Sequence, residues 1–456
     1  MQSDSRWASR RDNRSTRRRV GGCRDIALGR ACRDVTRSAH MPSTMPPRPI
    51  VADEIARNRQ EIGRFLTDRG PPASATEAAR FFDGLSEREF DRFHRLWTAV
   101  RAYVLGHALQ AATEAELSIR DMPDDEDGHG ALVVRTFAEA VLSRARGESE
   151  RGGNLYLDAR PPGAQLRAFE LLRLRTPLIP FAYAAGNRAL LDTLTSPTDV
   201  TLLEIGIGRA QQTRALLRNP SARRLIRSLR VIGVEPDSSS ATGSGALELA
   251  EQNVREAAEE AGLAASFHPI AKRAEELTVD DIRSAGPVGL LLANAAFALH
   301  HVAEDGNGAP ANRDAVLRTL RNAGVQRLVL VEPDSHHFED DLLVRFLYAF
   351  RHYASIAASL SGIMSVADGQ LVWNEFFAPE VRNIIVHEGA RRTERHEEIA
   401  TWSDRLRRSG WEIEELRDLV PQSAAPPSFE VRTRQFGVSL CFTDVPLLSV
   451  LRAKPA

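Results

Sequence analysis

The sequence predicts an α/β protein: a mostly parallel seven-stranded sheet with helices on both faces, preceded by an N-terminal helical cap. Three observations carry this. From about residue 200 onward, short apolar runs alternate with stretches of helical spacing, the pattern of parallel strands joined by crossover helices. Glu204, Glu235, Asn294 and Glu332 close four of those runs. They therefore gather at the carboxyl edge of the sheet, where open α/β sheets bind ligands. The first run, residues 200–205, leads into Glu204-Ile205-Gly206-Ile207-Gly208, which reads as a strand, a tight turn and a helix start.

The chain has 456 residues and a formal net charge of -1, enough for one large domain with additions or for two domains. Lys272 and Lys454 are its only lysines. The arginine excess reads as the codon bias of a GC-rich, bacterial genome. No apolar run approaches a membrane span, so no membrane partner is expected. Cys23, Cys32 and Cys441 are odd in number, and two lie in a tail. That argues against a disulfide framework and for a reducing, cytoplasmic compartment.

Residues 1–48 hold twelve arginines against four aspartates. Their low hydrophobicity and high charge predict disorder. Three readings compete: a nucleic-acid-binding arm, a transit peptide, or a translation start at Met41 or Met45; the later start is favoured. Residues 49–150 read as the helical cap. Ile55, Ile62 and Phe65 recur at helical spacing, and Ser86 before Glu87 and Glu89 has the form of an N-cap with an acidic first turn. Phe90, Phe93, Trp97 and Val100 give a 3–4 period that continues through Leu105, Leu109 and Leu117, a stripe expected to pack rather than to bind. A loop at 122–130 and a helix at 132–142 follow, with a boundary near residue 150.

The third segment, 151–456, is the core. Residues 162–194 read as two helices broken by Pro177 and Pro180. Strands are expected at 200–205, 229–234, 265–270, 288–293 and 327–331, with a helix at 246–261. Residues 436–440 and 447–451 read as closing antiparallel strands. Gly206 and Gly208 carry no Cβ and let the backbone approach a ligand closely. The third glycine of the dinucleotide pattern is absent, with Gln211 in its place, and Glu204 precedes the first glycine. An acid-x-Gly-x-Gly turn fits S-adenosylmethionine, which has no pyrophosphate to rest on a helix N-terminus. Glu235, at the tip of the second strand, is placed to accept from ribose hydroxyls. Glu204, Gly206, Gly208, Glu235 and Asn294 are the candidate cofactor residues. An ordinary strand-to-helix turn without a ligand is the alternative.

Further along, Phe181-Ala182-Tyr183-Ala184-Ala185-Gly186-Asn187, Leu292-Ala293-Asn294 with His300-His301, Val331-Glu332-Pro333-Asp334-Ser335-His336-His337, and Glu394-Arg395-His396-Glu397 with Trp402 occur in order. So do Arg345-Phe346-Leu347-Tyr348, His352-Tyr353 and Arg382-Asn383-Ile384-Ile385-Val386-His387-Glu388-Gly389. Together these resemble the GRAS family from about residue 155 to the C-terminus. The resemblance implies a methyltransferase-type Rossmann core with a helical cap. It implies transcriptional regulation if the chain behaves as plant members do, and small-molecule methylation if it behaves as bacterial members do. Plant members often lack an intact glycine turn, whereas this chain keeps one. Ser449-Val450-Leu451-Arg452 stands where the family has Ser-x-Trp-Arg.

The function this supports is an S-adenosylmethionine-dependent methyltransferase acting on a small-molecule acceptor; the alternative is a non-catalytic GRAS-type module that binds a ligand or protein. Methyl transfer needs alignment above all, and a base only if the acceptor must lose a proton. His300, His301, Asp334 and His337 follow the fourth and fifth strands and are the catalytic candidates, since imidazole titrates near neutrality. Capping of helices is the other reading of these histidines. Arg345, Tyr348 and His352, spaced i, i+3, i+7, share a helix face. With Asn383 they are the candidate acceptor-binding residues, unless that face simply packs. A metal is not expected, because adjacent histidines point apart and no Cys or patterned carboxylate completes a set.

Overall fold

The computed structural model describes residues 52–69, 87–120, 122, 128–147, 162–236, 245–304, 312–416 and 428–456. The basic tail and Ser86 lie outside these residues. Nine strands form one sheet: β1 (Thr198–Ile205), β2 (Ile226–Glu235), β3 (Ala264–Ala271), β4 (Leu290–Ala296), β5 (Arg327–Pro333), β6 (Trp411–Glu414), β7 (Phe429–Arg434), β8 (Gly437–Phe442) and β9 (Val445–Pro455). Their order is β3-β2-β1-β4-β5-β9-β8-β7, with β6 paired to β9. The first five in that order run parallel and the others antiparallel. This is a Rossmann-like sheet, larger by two than the seven strands expected. Short β6 (WEIE) and edge strand β7 (FEVRTR) alternate apolar with polar residues and offer no continuous apolar run. β9 runs on to Pro455, past the missing tryptophan.

The central strands are buried on both faces, and their residues alternate between two cores. Val200, Leu202, Val231, Leu292, Val329 and Val331 face one. Leu203, Ile205, Ile232, Ala293, Leu328 and Leu330 face the other. β4 starts two residues later than expected and ends at Ala296, so Asn294 lies within the strand. Ahead of it Gly289 packs on the backbone of Asp199, where a Cβ would lie 1.9 Å from the carbonyl oxygen.

On the amino-terminal side lie α1 (Ala52–Arg69), α2 (Glu87–Val104), α3 (Ala108–Ile119) and α4 (His129–Arg146), then α5 (Pro162–Arg175) and α6 (Leu178–Leu191). The stripe of α2 does not continue into α3. The chain turns at Gly106, φ +84°, and Leu105 and Leu109 are 68% and 84% exposed. Pro177 separates α5 from α6. Pro180 sits in the first turn of α6, where its missing N–H has no helical partner to lose. Around the sheet are α7 (Gln211–Arg218), α8 (Ala246–Ala261), α9 (Asn312–Asn322), α10 (Leu342–Ser361), α11 (Ala378–Val386) and α12 (Ile399–Arg408). Among the described residues no helix is long and apolar enough to cross a membrane.

The aromatic stripe of α2 is packing, as expected. Phe93 meets Phe350 at 4.8 Å and Trp97 meets Phe346 at 6.3 Å between ring centroids. Phe137 of α4 stands edge-on to Phe346 at 5.6 Å. The Arg144 guanidinium then donates to the Ile385 carbonyl and to Glu388 Oε1, each at 2.6 Å, and Arg345 Nη2 donates to the same Glu388 oxygen at 2.5 Å. The described residues from Ala52 onward thus belong to one compact unit. Phe346→Ala should open a cavity in this seam and cost about 3–5 kcal/mol of stability. Urea unfolding measures it, and a loss below about 1 kcal/mol would show that the seam does not hold the helices to the core.

Candidate functional site

The strand order reverses between β1 and β4, and ligands of open α/β sheets bind at such a switch point. There Glu204 of β1 stands in register with Asn294 of β4. The Glu204 carboxylate is buried and accepts from the Thr213 hydroxyl on α7 and from Asn294. Burial pushes its pKa up to about 7, against the pull of those two bonds. Gln212 Nε2 donates to Asn294 Oδ1 at 3.3 Å, and Asn187 Nδ2 of α6 donates to the Gln212 carbonyl at 3.1 Å. Two buried acceptors beside them, Asn187 Oδ1 and Gln212 Oε1, have no hydrogen-bond partner. A cleft of about 530 Å³ opens between α6 and α7, lined by Arg173, Tyr183, Asn187, Gln211 and Arg214 among others.

The turn after β1 is built from left-handed residues: Gly206 at φ +69°, Gly208 at +51° and Ala210 at +55°. The two glycines serve different ends. A Cβ on Gly206 would lie 2.7 Å from the Ala298 Cβ, so the close approach expected there is to the chain's own loop after β4. Gly208 has nothing within 4 Å of the same position and faces open space. Its N–H donates to Glu235 Oε2 at 3.0 Å, tying the turn to the tip of β2. Burial raises the Glu235 pKa, while the Gly208 N–H and the nearby His301 pull it down.

A second polar group forms where the chain leaves β4 through Leu299–His301. Glu332, at the end of β5, accepts from the Leu299 N–H at 2.8 Å and contacts His300 Nδ1 at 2.5 Å. His301 Nδ1 lies 3.0 Å from Glu394 Oε1. The His300 and His396 rings stand 4.8 Å apart, and those of His337 and His396 4.7 Å. Burial pushes His300 and His337 well below the usual imidazole range and His352 to about 3. It also lifts Glu332 to about 7. Burial works against protonation of His301 too, but Glu394 outweighs it and raises this histidine. Conversely His301 holds Glu394 at about 2 although burial favours its neutral form.

Local spacing offers these histidines no carboxylate, but the fold brings one to them. Glu394, far along the chain, lies against three histidines at once, and His300, Glu394 and His396 bring ligand atoms within 4.8 Å of one another. Asp334 is engaged elsewhere: it accepts from the Ser449 hydroxyl and, at 3.1 Å, from the Ile399 N–H, and so clamps β9 to α12. Arg345, Tyr348, His352 and Asn383 are all buried, and each has its own partner. Arg345 pairs with Glu388, Tyr348 meets His336, and His352 meets His337. Asn383 Oδ1 accepts from the N–H groups of Thr393 and Glu394, each at 2.9 Å.

Asn187, Gln212 and Thr213 escaped sequence reasoning because polar residues on helices read as surface. So did Arg313, which is fully buried and donates to the His300 carbonyl and to Glu397 Oε1, each at 2.6 Å. Glu332 carried a legible signal, an acid closing an apolar strand.

The Glu204 carboxyl has a testable consequence. It keeps its proton up to about pH 7 in the fold, against an ordinary value of 4.5. The folded state therefore binds more protons between these limits, and this contribution to stability is complete below pH 4.5 and lost as pH rises through 7. Glu204→Gln should remove about 3 kcal/mol of that pH dependence. Urea unfolding at pH 5 and pH 8 compares the two proteins; the same difference in both would show that Glu204 does not titrate this way.

Comparison with known proteins agrees with this architecture. The model of the GRAS domain family matches residues 95–427. Scarecrow-like protein 5 of Arabidopsis thaliana is 26% identical over 298 residues, 64% of this chain and 50% of that protein. Scarecrow-like transcription factor PAT1 of the same plant is 25% identical over 247 residues, 54% of this chain and 50% of that one. The chain spans about half the length of the curated relatives it matches. The crystal structure of SCL7 from Oryza sativa superposes with a TM-score of 0.66 at 19% identity, covering 80% of this chain and 99% of the other, and so shares the fold. With a family match over well more than half of its length, the chain belongs to the GRAS domain family.

Proposed function

We propose that this chain is an S-adenosylmethionine-dependent methyltransferase for a small-molecule acceptor, working in the cytoplasm of a bacterium. The observation that carries the reading is the pair of unpartnered buried acceptors, Asn187 Oδ1 and Gln212 Oε1, beside Glu204 at the switch point. Buried acceptors without donors are costly, and a ligand that donates relieves them. The ammonium group of the cofactor's methionine part supplies such donors, so the residues present fit the group. Glu235 and the backbone at Gly208 stand where the ribose side would lie.

Bound there, S-adenosylmethionine supplies an electrophilic methyl carbon on a sulfonium. Glu204, Asn187 and Gln212 would hold the ammonium and so fix the reach of the methyl group. The acceptor would enter by the cleft between α6 and α7, which shares Asn187 with that group and has the volume of a small-molecule pocket. Where the acceptor must lose a proton, His301 in its neutral form, near enough to Glu235 at the tip of β2 to act on its charge and paired with Glu394, would take it. Arg345, Tyr348, His352 and Asn383 then serve to position this histidine loop.

A non-catalytic, ligand- or protein-binding regulatory module is the second reading. Two observations favour it: Gly206 is already explained by its contact with Ala298, and Glu235 already accepts from Gly208. Calorimetric titration with S-adenosylhomocysteine separates the two. Binding by the wild type is expected, with a loss of at least tenfold in Gly208→Val, whose new side chain would occupy the open space. A folded Gly208→Val protein with wild-type affinity would remove the turn from the cofactor site. A wild type that binds nothing would overturn the methyltransferase reading in favour of the module.

A further inference from the structure

The histidine group has a property that proton transfer and helix capping leave unexplained. Glu394 Oε2 and both ring nitrogens of His396 are buried and have no hydrogen-bond partner. They face one another at 3.6 Å, and His300 Nε2 stands 4.0 Å from the same carboxylate oxygen. All three side chains are at least 97% buried. Three side chains that can ligate a metal ion are thus held together in a buried site.

We propose that His300 Nε2, Glu394 Oε2 and His396 Nε2 form a binding site for a divalent first-row transition ion, zinc foremost. The donor set, two imidazoles and one carboxylate, is a common catalytic zinc set and leaves a fourth position. Bonds of about 2.0–2.1 Å to a tetrahedral ion put ligand atoms about 3.3–3.5 Å apart. The two distances to Glu394, 3.6 and 4.0 Å, need to shorten by about 0.2–0.6 Å, and the widest pair of ligand atoms, within 4.8 Å, has to close by up to about 1.4 Å. The supporting shell is already built. Glu332 contacts His300 Nδ1 at 2.5 Å and is itself held by the Leu299 N–H, which fixes the ring; with Nδ1–H donating to ionised Glu332, Nε2 would present its lone pair toward Glu394. His301 holds the other Glu394 oxygen, Oε1, at 3.0 Å, leaving Oε2 for the ion. The proposal does not rest on the methyltransferase reading, since none of the three residues touches the Glu204 group.

The test uses the full-length chain, stripped with a chelator and titrated with Co²⁺. The expected result is one ion per chain and visible absorption bands of a low-coordinate nitrogen–oxygen site, displaced by Zn²⁺. Glu394→Gln and His396→Gln should each weaken binding at least a hundredfold. Absence of stoichiometric cobalt binding, or wild-type affinity in both variants, would overturn the site. So would thiolate-to-cobalt charge-transfer bands, which would assign the metal to cysteines instead. Should the variants fail to fold, X-ray absorption of the zinc-loaded wild type decides. A shell of two imidazoles and one carboxylate supports the site, and a sulfur shell or an imidazole-free oxygen shell overturns it.

Discussion

Six consecutive polar residues, 392–397, are almost wholly buried, and the rest of the C-terminal half is arranged to permit it. An unpaired buried charge costs several kcal/mol, so every group on this extended segment needs a partner fixed in place. Arg392 donates to the carbonyls of His337 and Glu339 and pairs with Asp340. Glu397 receives Arg313 from α9 and both bonds of Arg405 from α12. Asn383 of α11 binds the backbone of residues 393 and 394. The segment thereby ties three helices and the loops after β4 and β5 to one line of chain. The meeting of Glu394 with His300 and His301 follows from that line.

Much of this architecture was legible. The glycine turn, the strands and the helix at 246–261 follow from period and punctuation, and the order of motifs pointed to the family. Residues 392–397 were legible only as part of the family motif, not from their own composition. Arg-Thr-Glu-Arg-His-Glu has the composition of a solvated loop, and only long-range pairing reverses that reading. The meeting of Glu394 with the histidines was hidden for the same reason, since Glu394 lies far from His300 in sequence and no local spacing joins them. The polar residues Glu204, Glu235, Asn294 and Glu332 show a subtler gap. All four sit at one edge of the sheet, but strand parity divides them. Glu204 and Asn294 share a face with Leu202 and Leu292, whereas Glu332 shares one with Leu328 and Leu330.

That division separates two kinds of chemistry at one sheet edge. On one face, Glu204 lies among the amides of Asn187, Gln212 and Asn294, and two of their oxygens, Asn187 Oδ1 and Gln212 Oε1, have no partner. On the other, Glu332, Glu394 and the histidines form a desolvated donor cluster behind the loop that Glu332 itself caps. β4 links them. Asn294 belongs to the first group, and six residues later His300 belongs to the second. A shift of that loop would be felt by both groups through Ala298, which packs against Gly206.

The position of β9 bears on how the protein is made. It lies between β5 and β8 and also pairs with β6, so three strands bond to a strand that follows them all in the chain. Synthesis runs from the amino end, and domains tend to fold as they emerge. Here β1 to β5 can assemble early, but β5 leaves the ribosome with a bare edge that stays open until residues 445–455 follow. An unpaired strand edge invites other chains to add to it. The interval between the release of β5 and the docking of β9 is therefore when the nascent protein is most exposed to aggregation, and when a chaperone would matter most.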